Sequence, residues 1–403
     1  MKHIDGGVCA AKGFTAGGVH CGIRKNHDKK DLALIVSQVR AACACVYTTN
    51  LVKGAPIAIT KKNVADGYAR AVICNSGNAN TCNPGGEAVA EEMCCLTGKA
   101  LGIDPSDVVV ASTGVIGQPL DLAPIRTGIP LAVQALTDSC DDACAAIMTT
   151  DTVPKITAVE FECGGKTCRM GGIAKGSGMI HPNMATMLVF ITTDAAVEPG
   201  MLRQALSEDI PDTFNMVSVD GDTSTNDMVS LLANGMAENR TVDAPGDDFD
   251  AFRAALREVT RTLCRMIAGD GEGATKLLQC EVTGAADKPT AVTVAKAVIC
   301  SSLFKAAMFG ADANWGRVLC AIGYSGATTD VEKIDVDFVS DAGKITVCRM
   351  GRGVPFSEEE AKQVLSEKEI RVLIELNSGG ARATAWGCDL TYDYVKINGD
   401  YRT

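Results

Sequence analysis

Residues 175–195 read KGSGMIHPNMATMLVFITTDA, a glycine-rich loop joined directly to a strand-like run. Gly171-Gly172, Gly176 and Gly178 lead into Pro182, Asn183, Met184, Ala185 and Thr186, and the apolar run Met187 to Ile191 follows at once. Glycine and proline punctuate loops, whereas a short apolar run bounded by turn residues suits a buried strand. A loop thus delivers one threonine to the head of a strand. The bland reading is a strand-initiating threonine, which is common. The chemical reading is self-cleavage at Ala185–Thr186. Peptide self-attack needs a contorted backbone before the scissile bond, and glycine permits one. The freed Thr186 would carry an α-amine able to serve as the base that a hydroxyl nucleophile lacks. An α-amine has a pKa near ~8, so part of it is neutral around neutral pH.

The flanking composition is that of a globular protein. The chain has 403 residues, 46% hydrophobic and 22% charged, enough for a large core. A formal charge of −11 with only 4% aromatic residues argues against a nucleic-acid surface. No run approaches the ~18 apolar residues of a membrane span. The N-terminal MKHIDGGVCAAKGF lacks the apolar segment of a signal peptide, and the same lack argues against a lipidation box at Cys9. A cytoplasmic protein is expected. The eighteen cysteines fit that setting as small hydrophobes, since Cys74, Cys264, Cys300 and Cys320 lie in apolar runs. Cys43-x-Cys45, Cys94-Cys95 and Cys163/Cys168 are not zinc spacings, and there are only four histidines, so no metal is expected.

Helical and strand patterns alternate along the chain. Glu87 to Gly98 and Leu131 to Met148 repeat apolar residues at helical spacing. Val108 to Ala111, Met187 to Ile191, Ala291 to Ile299 and Val372 to Leu376 look like strands. The clearest helix is Phe249 to Ile267, where Phe249, Phe252, Leu256, Val259, Leu263 and Met266 form one stripe closed by Gly269. Ser357 followed by Glu360 is a capping-box pattern. Leu390, Tyr392 and Tyr394 alternate with polar residues, which predicts a docked terminal strand. Asp243 to Asp248 reads as a loop, and no internal repeat is visible. The mixture predicts an α/β (α+β) fold.

Seven further blocks run in order through the chain: CNSGNANTC from Cys74, ASTGVIG from Ala111, TTDTVPK from Thr149, VDGDTSTND from Val219, GDGEGATK from Gly269, KAAMFGADANWGRVLCAIGYSG from Lys305, and GCDLTYDYVKINGDYRT from Gly387. With the 175–195 segment they resemble the ornithine acetyltransferase family, the glutamate N-acetyltransferases of arginine biosynthesis. The likeness covers essentially the whole chain. It implies an intertwined α/β sandwich with large mixed sheets. It also implies division into an α chain, residues 1–185, and a β chain, residues 186–403, assembled as a heterotetramer of two of each.

The resemblance also assigns roles beside which plainer readings stand. Thr113-Gly114, ordinarily a strand end and turn, match the family's oxyanion donors; a hydroxyl and a glycine N–H suit that task. Lys175, otherwise a surface lysine, matches the residue that meets the substrate's α-carboxylate as a point charge. Thr149, otherwise a polar helix end, and Glu272, otherwise turn chemistry between two glycines, match substrate ligands. Asn398 and Thr403 match residues that the family's tail brings to the site. The implied reaction is a double displacement: Thr186 takes acetyl from N-acetylornithine, and glutamate's amine then removes it. No cofactor or metal is implied, although acetyl-CoA is a co-substrate for some members. A related N-terminal-nucleophile amidohydrolase or aminopeptidase would share the cleavage but pass the acyl group to water. An unprocessed binding protein is a third reading, disfavoured by the intact cleavage motif. His181 has no evident Asp partner for a triad. Gly269 to Lys276 lacks phosphate-loop spacing, and Gly176-Ser177-Gly178 is not a nucleophile elbow. The sequence leaves Asn314-Trp315-Gly316-Arg317 open between packing, an ion pair and a site wall.

Overall fold

The computed structural model describes residues 1–181 and 187–400. Two mixed sheets organise it. The first contains β1 (Lys2–Ile4), β2 (Phe14–Val19), β3 (Leu32–Tyr47), β4 (Tyr68–Asn78), β5 (Val108–Val115), β6 (Lys155–Cys163), β7 (Lys166–Lys175), β8 (Leu188–Thr193) and β10 (Met228–Ala233). The second contains β9 (Val217–Ser218), β11 (Leu277–Ala285), β12 (Asp335–Ser340), β13 (Gly343–Arg349), β14 (Arg352–Gly353), β15 (Glu369–Glu375) and β16 (Ala381–Cys388). Their orders are β1-β6-β7-β8-β10-β3-β4-β5, with β2 on β3, and β14-β13-β12-β15-β11-β16-β9. Both are mostly antiparallel with two parallel pairs each, β8–β10 and β4–β5 in the first and β11–β15 and β16–β9 in the second.

The helices are α1 (Ala55–Asn63), α2 (Gly86–Leu101), α3 (Leu122–Gln134), α4 (Asp141–Ile147), α5 (Pro199–Asp209), α6 (Asp247–Gly269), α7 (Lys288–Cys300), α8 (Ser302–Phe309), α9 (Trp315–Gly323), α10 (Glu358–Leu365) and α11 (Tyr392–Asp400). The stripe read in the sequence is the reason for the place of α6. Phe252, Leu256, Val259 and Leu263 are wholly buried, and the helix touches β6 and β7 of one sheet and β11 and β16 of the other. Each such side chain contributes ~1.5–3 kcal/mol of apolar burial. Three acidic residues in its first turn, Asp247, Asp248 and Asp250, complement the helix dipole. No single helix among the described residues is long and apolar enough to cross a membrane.

Several expectations are corrected. Ala291 to Ile299 is helix, not strand: Asp287 caps α7 by accepting from the Thr290 N–H at 2.8 Å, and Pro289 sits in its first turn. Leu131 to Met148 is the end of α3 and all of α4, broken where Thr137 and Ser139 exchange side-chain and backbone hydrogen bonds. The tail is helix α11, not a docked strand: the Tyr394 N–H donates to Thr391 Oγ1 at 3.3 Å and so starts a turn. All eighteen cysteines are free; Cys74 and Cys264 are buried as expected, but Cys300 is half-buried and Cys320 is exposed. The Ser357 cap is observed, accepting from the Glu360 N–H at 3.2 Å.

Candidate active site

The ends of β5, β7, β8 and β10 open on a cleft of about 270 Å³. Thr113, Gly114, Thr149, Lys175, Glu272 and Asn398 all line it, together with Met187 and Leu188. Six residues singled out in the sequence thus meet at one place, beside the first residues after position 186. Ala185, Thr186 and Thr403 lie outside the described residues.

Thr113 and Gly114 come from β5, where its parallel pairing with β4 is irregular: Asn78 is opposite both Thr113 and Val115. Gly114 has φ +128°, and a Cβ there would lie 2.4 Å from the Gly77 carbonyl carbon. Only glycine allows this approach. Asparagines hold the bend. Asn75 Oδ1 accepts from Ser112 Oγ at 2.6 Å, and Asn75 Nδ2 donates to the Asn78 carbonyl at 2.9 Å. Asn226 Nδ2 donates to the carbonyls of Ala79 (2.5 Å) and Ser112 (3.0 Å), while its Oδ1 accepts from Thr81 Oγ1 at 2.6 Å. These buried amides explain the asparagine-rich block at 74–82 and the single Asn226 of the block at 219–227, to which the sequence alone assigned no task.

Lys175 ends β7, buried to 9% exposure. Among the described residues its ammonium makes no ion pair within 4 Å. Two buried carboxyls flank it. Burial pushes Asp151 up, but the Lys155 and Lys175 ammoniums and the Gly176 N–H outweigh this and hold it at about 2. Burial pushes Asp227 well above the usual carboxylate range, with Ser224 and Lys175 opposing. Asp227 lines the cleft, and its Oδ2 has no hydrogen-bond partner among the described residues.

Thr149 follows α4, its N–H donating to Asp151 Oδ2 at 2.9 Å. Glu272 sits in the loop between α6 and β11, and its carboxylate occupies the space a Cβ on Gly178 would need, 2.3 Å from Glu272 Cδ. Asn398 on α11 donates to Glu272 Oε2 at 2.7 Å. The tail therefore reaches the cleft, though as a helix.

The other sequence features resolve as structure. His181 Nδ1 faces Ser218 Oγ at 3.1 Å and Cys300 Sγ at 3.6 Å, not a carboxylate. Burial and the Lys296 charge push its ring down to about 4. Lys276 of the glycine loop donates to the carbonyls of Met308 (2.5 Å) and Leu365 (2.7 Å), which ties two helix ends. Asn314 caps α9, accepting from the Arg317 N–H at 3.2 Å, and Arg317 donates to the Leu303 carbonyl at 2.6 Å. The residues missed were Asp151, Asn226 and Asp227, each inside a quoted block.

A mixed α/β sandwich with a buried, polar cleft at its strand ends defines the molecule as an enzyme. The ArgJ family model matches residues 15–403. The arginine biosynthesis bifunctional protein ArgJ of Symbiobacterium thermophilum is 52% identical over 406 residues, all of both chains. That of Caldanaerobacter subterraneus subsp. tengcongensis is 49% identical over 405 residues, again all of both. A crystal structure of the arginine biosynthesis bifunctional protein ArgJ from Bacillus halodurans is 47% identical, with a TM-score of 0.50, and covers 53% of this chain and 98% of its own. The chain belongs to the ArgJ family.

Proposed function

We propose that the protein moves acetyl from N-acetyl-L-ornithine to L-glutamate in arginine biosynthesis, through an acetyl ester on Thr186. The observation that carries this reading is the single cleft shared by Thr113, Gly114, Thr149, Lys175, Glu272 and Asn398 beside the start of β8. Self-cleavage at Ala185–Thr186 yields chains 1–185 and 186–403 and frees the threonine amine. The chain in the Bacillus halodurans crystal is about half as long as this one and almost wholly matched, which supports two products of that size.

The Thr186 hydroxyl attacks the acetyl carbonyl, its own amine taking the proton. The oxyanion is held by Thr113 Oγ1 and the Gly114 N–H, donors worth ~10²–10³ each in rate when lost. The C–N bond breaks, and ornithine leaves with the proton. Glutamate's amine then attacks the ester and leaves as N-acetylglutamate. Lys175 meets the α-carboxylate common to both amino acids, and Glu272 with Asn398 meets an amino group; Thr149 and Thr403 complete the pocket. One amide is exchanged for another, so the reaction is nearly thermoneutral and needs neither ATP nor a cofactor. Acetyl-CoA can load the same threonine. The reading extends to a cytoplasmic heterotetramer of two α and two β chains.

Intact-mass analysis of freshly expressed protein should give two chains cut before Thr186, with Thr186→Ala remaining whole. Incubation with N-acetylornithine should leave an acetyl group on the 186–403 chain, and release of ornithine should depend on glutamate. Ornithine and acetate appearing at full rate without glutamate would instead make it an amidohydrolase.

A further inference from the structure

Beneath the cleft lies a buried ion triad that the mechanism above does not use. Lys155 Nζ donates to Asp151 Oδ1 at 2.7 Å and to Asp270 Oδ2 at 2.5 Å. The side chains of Lys155 and Asp151 are wholly inaccessible, and that of Asp270 is 6% exposed. Each carboxylate has further bonds, as buried charges require. Asp151 Oδ1 also accepts the Gly176 N–H at 2.7 Å, and its Oδ2 accepts the Thr149 N–H. Asp270 accepts the Thr152 N–H at 3.1 Å and also the Thr152 hydroxyl. The Asp270 carbonyl accepts from Ser177 Oγ at 2.7 Å, and the Ser177 carbonyl accepts the Glu272 N–H at 3.1 Å.

Three of these bonds end at or beside residues lining the cleft: at the N–H of Thr149, at the N–H of Gly176 next to Lys175, and, through Ser177, at the N–H of Glu272. Ser112, next to Thr113 and Gly114, is held separately by Asn75 and Asn226. The triad also crosses the chain: Asp151 and Lys155 precede position 186, and Asp270 follows it. One cation between two carboxylates leaves a surplus negative charge beside Lys175, whose own ammonium stays available to the cleft.

We propose that Lys155, Asp151 and Asp270 are positioning residues that align the amino-acid-binding side of the cleft, clasping its two halves together, while the asparagine network independently sets the oxyanion side. The proposal rests on the acetyl-transfer reading. It follows that damage to the triad acts on substrate binding and not on the chemical step.

The test is a kinetic and calorimetric series on the cleaved enzyme. Asp270→Asn should raise KM for N-acetylornithine and glutamate, and Kd for ornithine, about tenfold or more, with kcat per mole of cleaved enzyme within about threefold of wild type. Thr152→Val keeps shape and N–H but loses the hydroxyl bond to Asp270, and should raise KM about two- to fivefold. Thr152→Ser, which keeps the hydroxyl, should restore wild-type KM. If Asp270→Asn does not fold, the Thr152 pair decides alone. A lowered melting temperature with unmoved KM and Kd in these variants would overturn the proposal and leave the triad a structural clamp. Wild-type enzyme that neither turns over N-acetylornithine nor binds ornithine would remove the acetyl-transfer reading and the proposal with it; an active wild type with unmoved variants removes the proposal alone.

Discussion

A carboxylate deep in a protein is normally driven toward its neutral form, and Asp151 shows what it takes to prevent that. Two ammoniums and a backbone N–H overcome its burial and hold it at about 2. Its unfolded-state pKa is near ~3.9. A folded pKa below the unfolded one gives stability that is complete above about pH 4 and lost as pH falls through 4 toward 2. The shift corresponds to about 2–3 kcal/mol. His181, pushed down to about 4, loses its contribution earlier, as pH falls from about 6.5 to 4. Urea unfolding at a series of pH values should therefore show two stages of acid loss. Asp151→Asn should weaken the protein at pH 6, yet flatten the decline below pH 4. An unchanged slope below pH 4 would remove Asp151 from the acid response. The sequence displayed Asp151 and Lys155 plainly, four residues apart in TTDTVPK. It could not display Asp270, because nothing local links that loop to them. Asp151 consequently stood in its block without a role of its own.

At the scale of elements, local pattern succeeded where it was long and failed where it was short. The stripe of α6 runs through five turns, and its place between the sheets follows from it. The tail offered only Leu390, Tyr392 and Tyr394, three residues at a period of two. Thr391, bonded to the Tyr394 N–H and donating to the Gly273 carbonyl at 2.7 Å, overrides that alternation and begins α11. In α7 the β-branched Val292, Val294, Val298 and Ile299 suggested a strand, while the decisive signals, Asp287 and Pro289, stood just upstream. The helical tail sharpens what Asn398 does. Its amide reaches Glu272 from a helix whose outer face, including Tyr392 and Val395, is exposed. Few core contacts depend on it. Asn398→Ala should therefore leave folding and self-cleavage intact and raise KM for both amino-acid substrates about tenfold, since one pocket receives them in turn. Unchanged KM values would make α11 a cover over the loop at 269–277 and take Asn398 out of the site.

The whole molecule shows why a cut before residue 186 need not take it apart. The first sheet is built from both halves of the chain. β8 lies between β7 and β10, and β10 lies between β8 and β3. Met170 to Lys175 pair with Leu188 to Thr193, and Ala42 to Tyr47 pair with Met228 to Ala233, so two complete strand ladders join residues before 186 to residues after it. β8, buried along its whole length, and α6, packed on β6 and β7, add apolar contact across the same divide. The buried triad crosses it as well, and leaving one such charge unpaired costs ~3–5 kcal/mol. Separating the halves would expose all of this at once. The two chains should therefore co-elute in gel filtration at 1 M salt, where surface ion pairs are screened but ladders and apolar contacts persist. They should part only in denaturant, in one cooperative transition seen alike by far-ultraviolet circular dichroism and by tryptophan fluorescence. Tryptophan reports on the second half alone, through Trp315 and Trp386, whereas circular dichroism reports on both. Dissociation by salt, or two separate transitions, would mean that each half holds its own fold and that the shared sheet contributes little to the assembled enzyme.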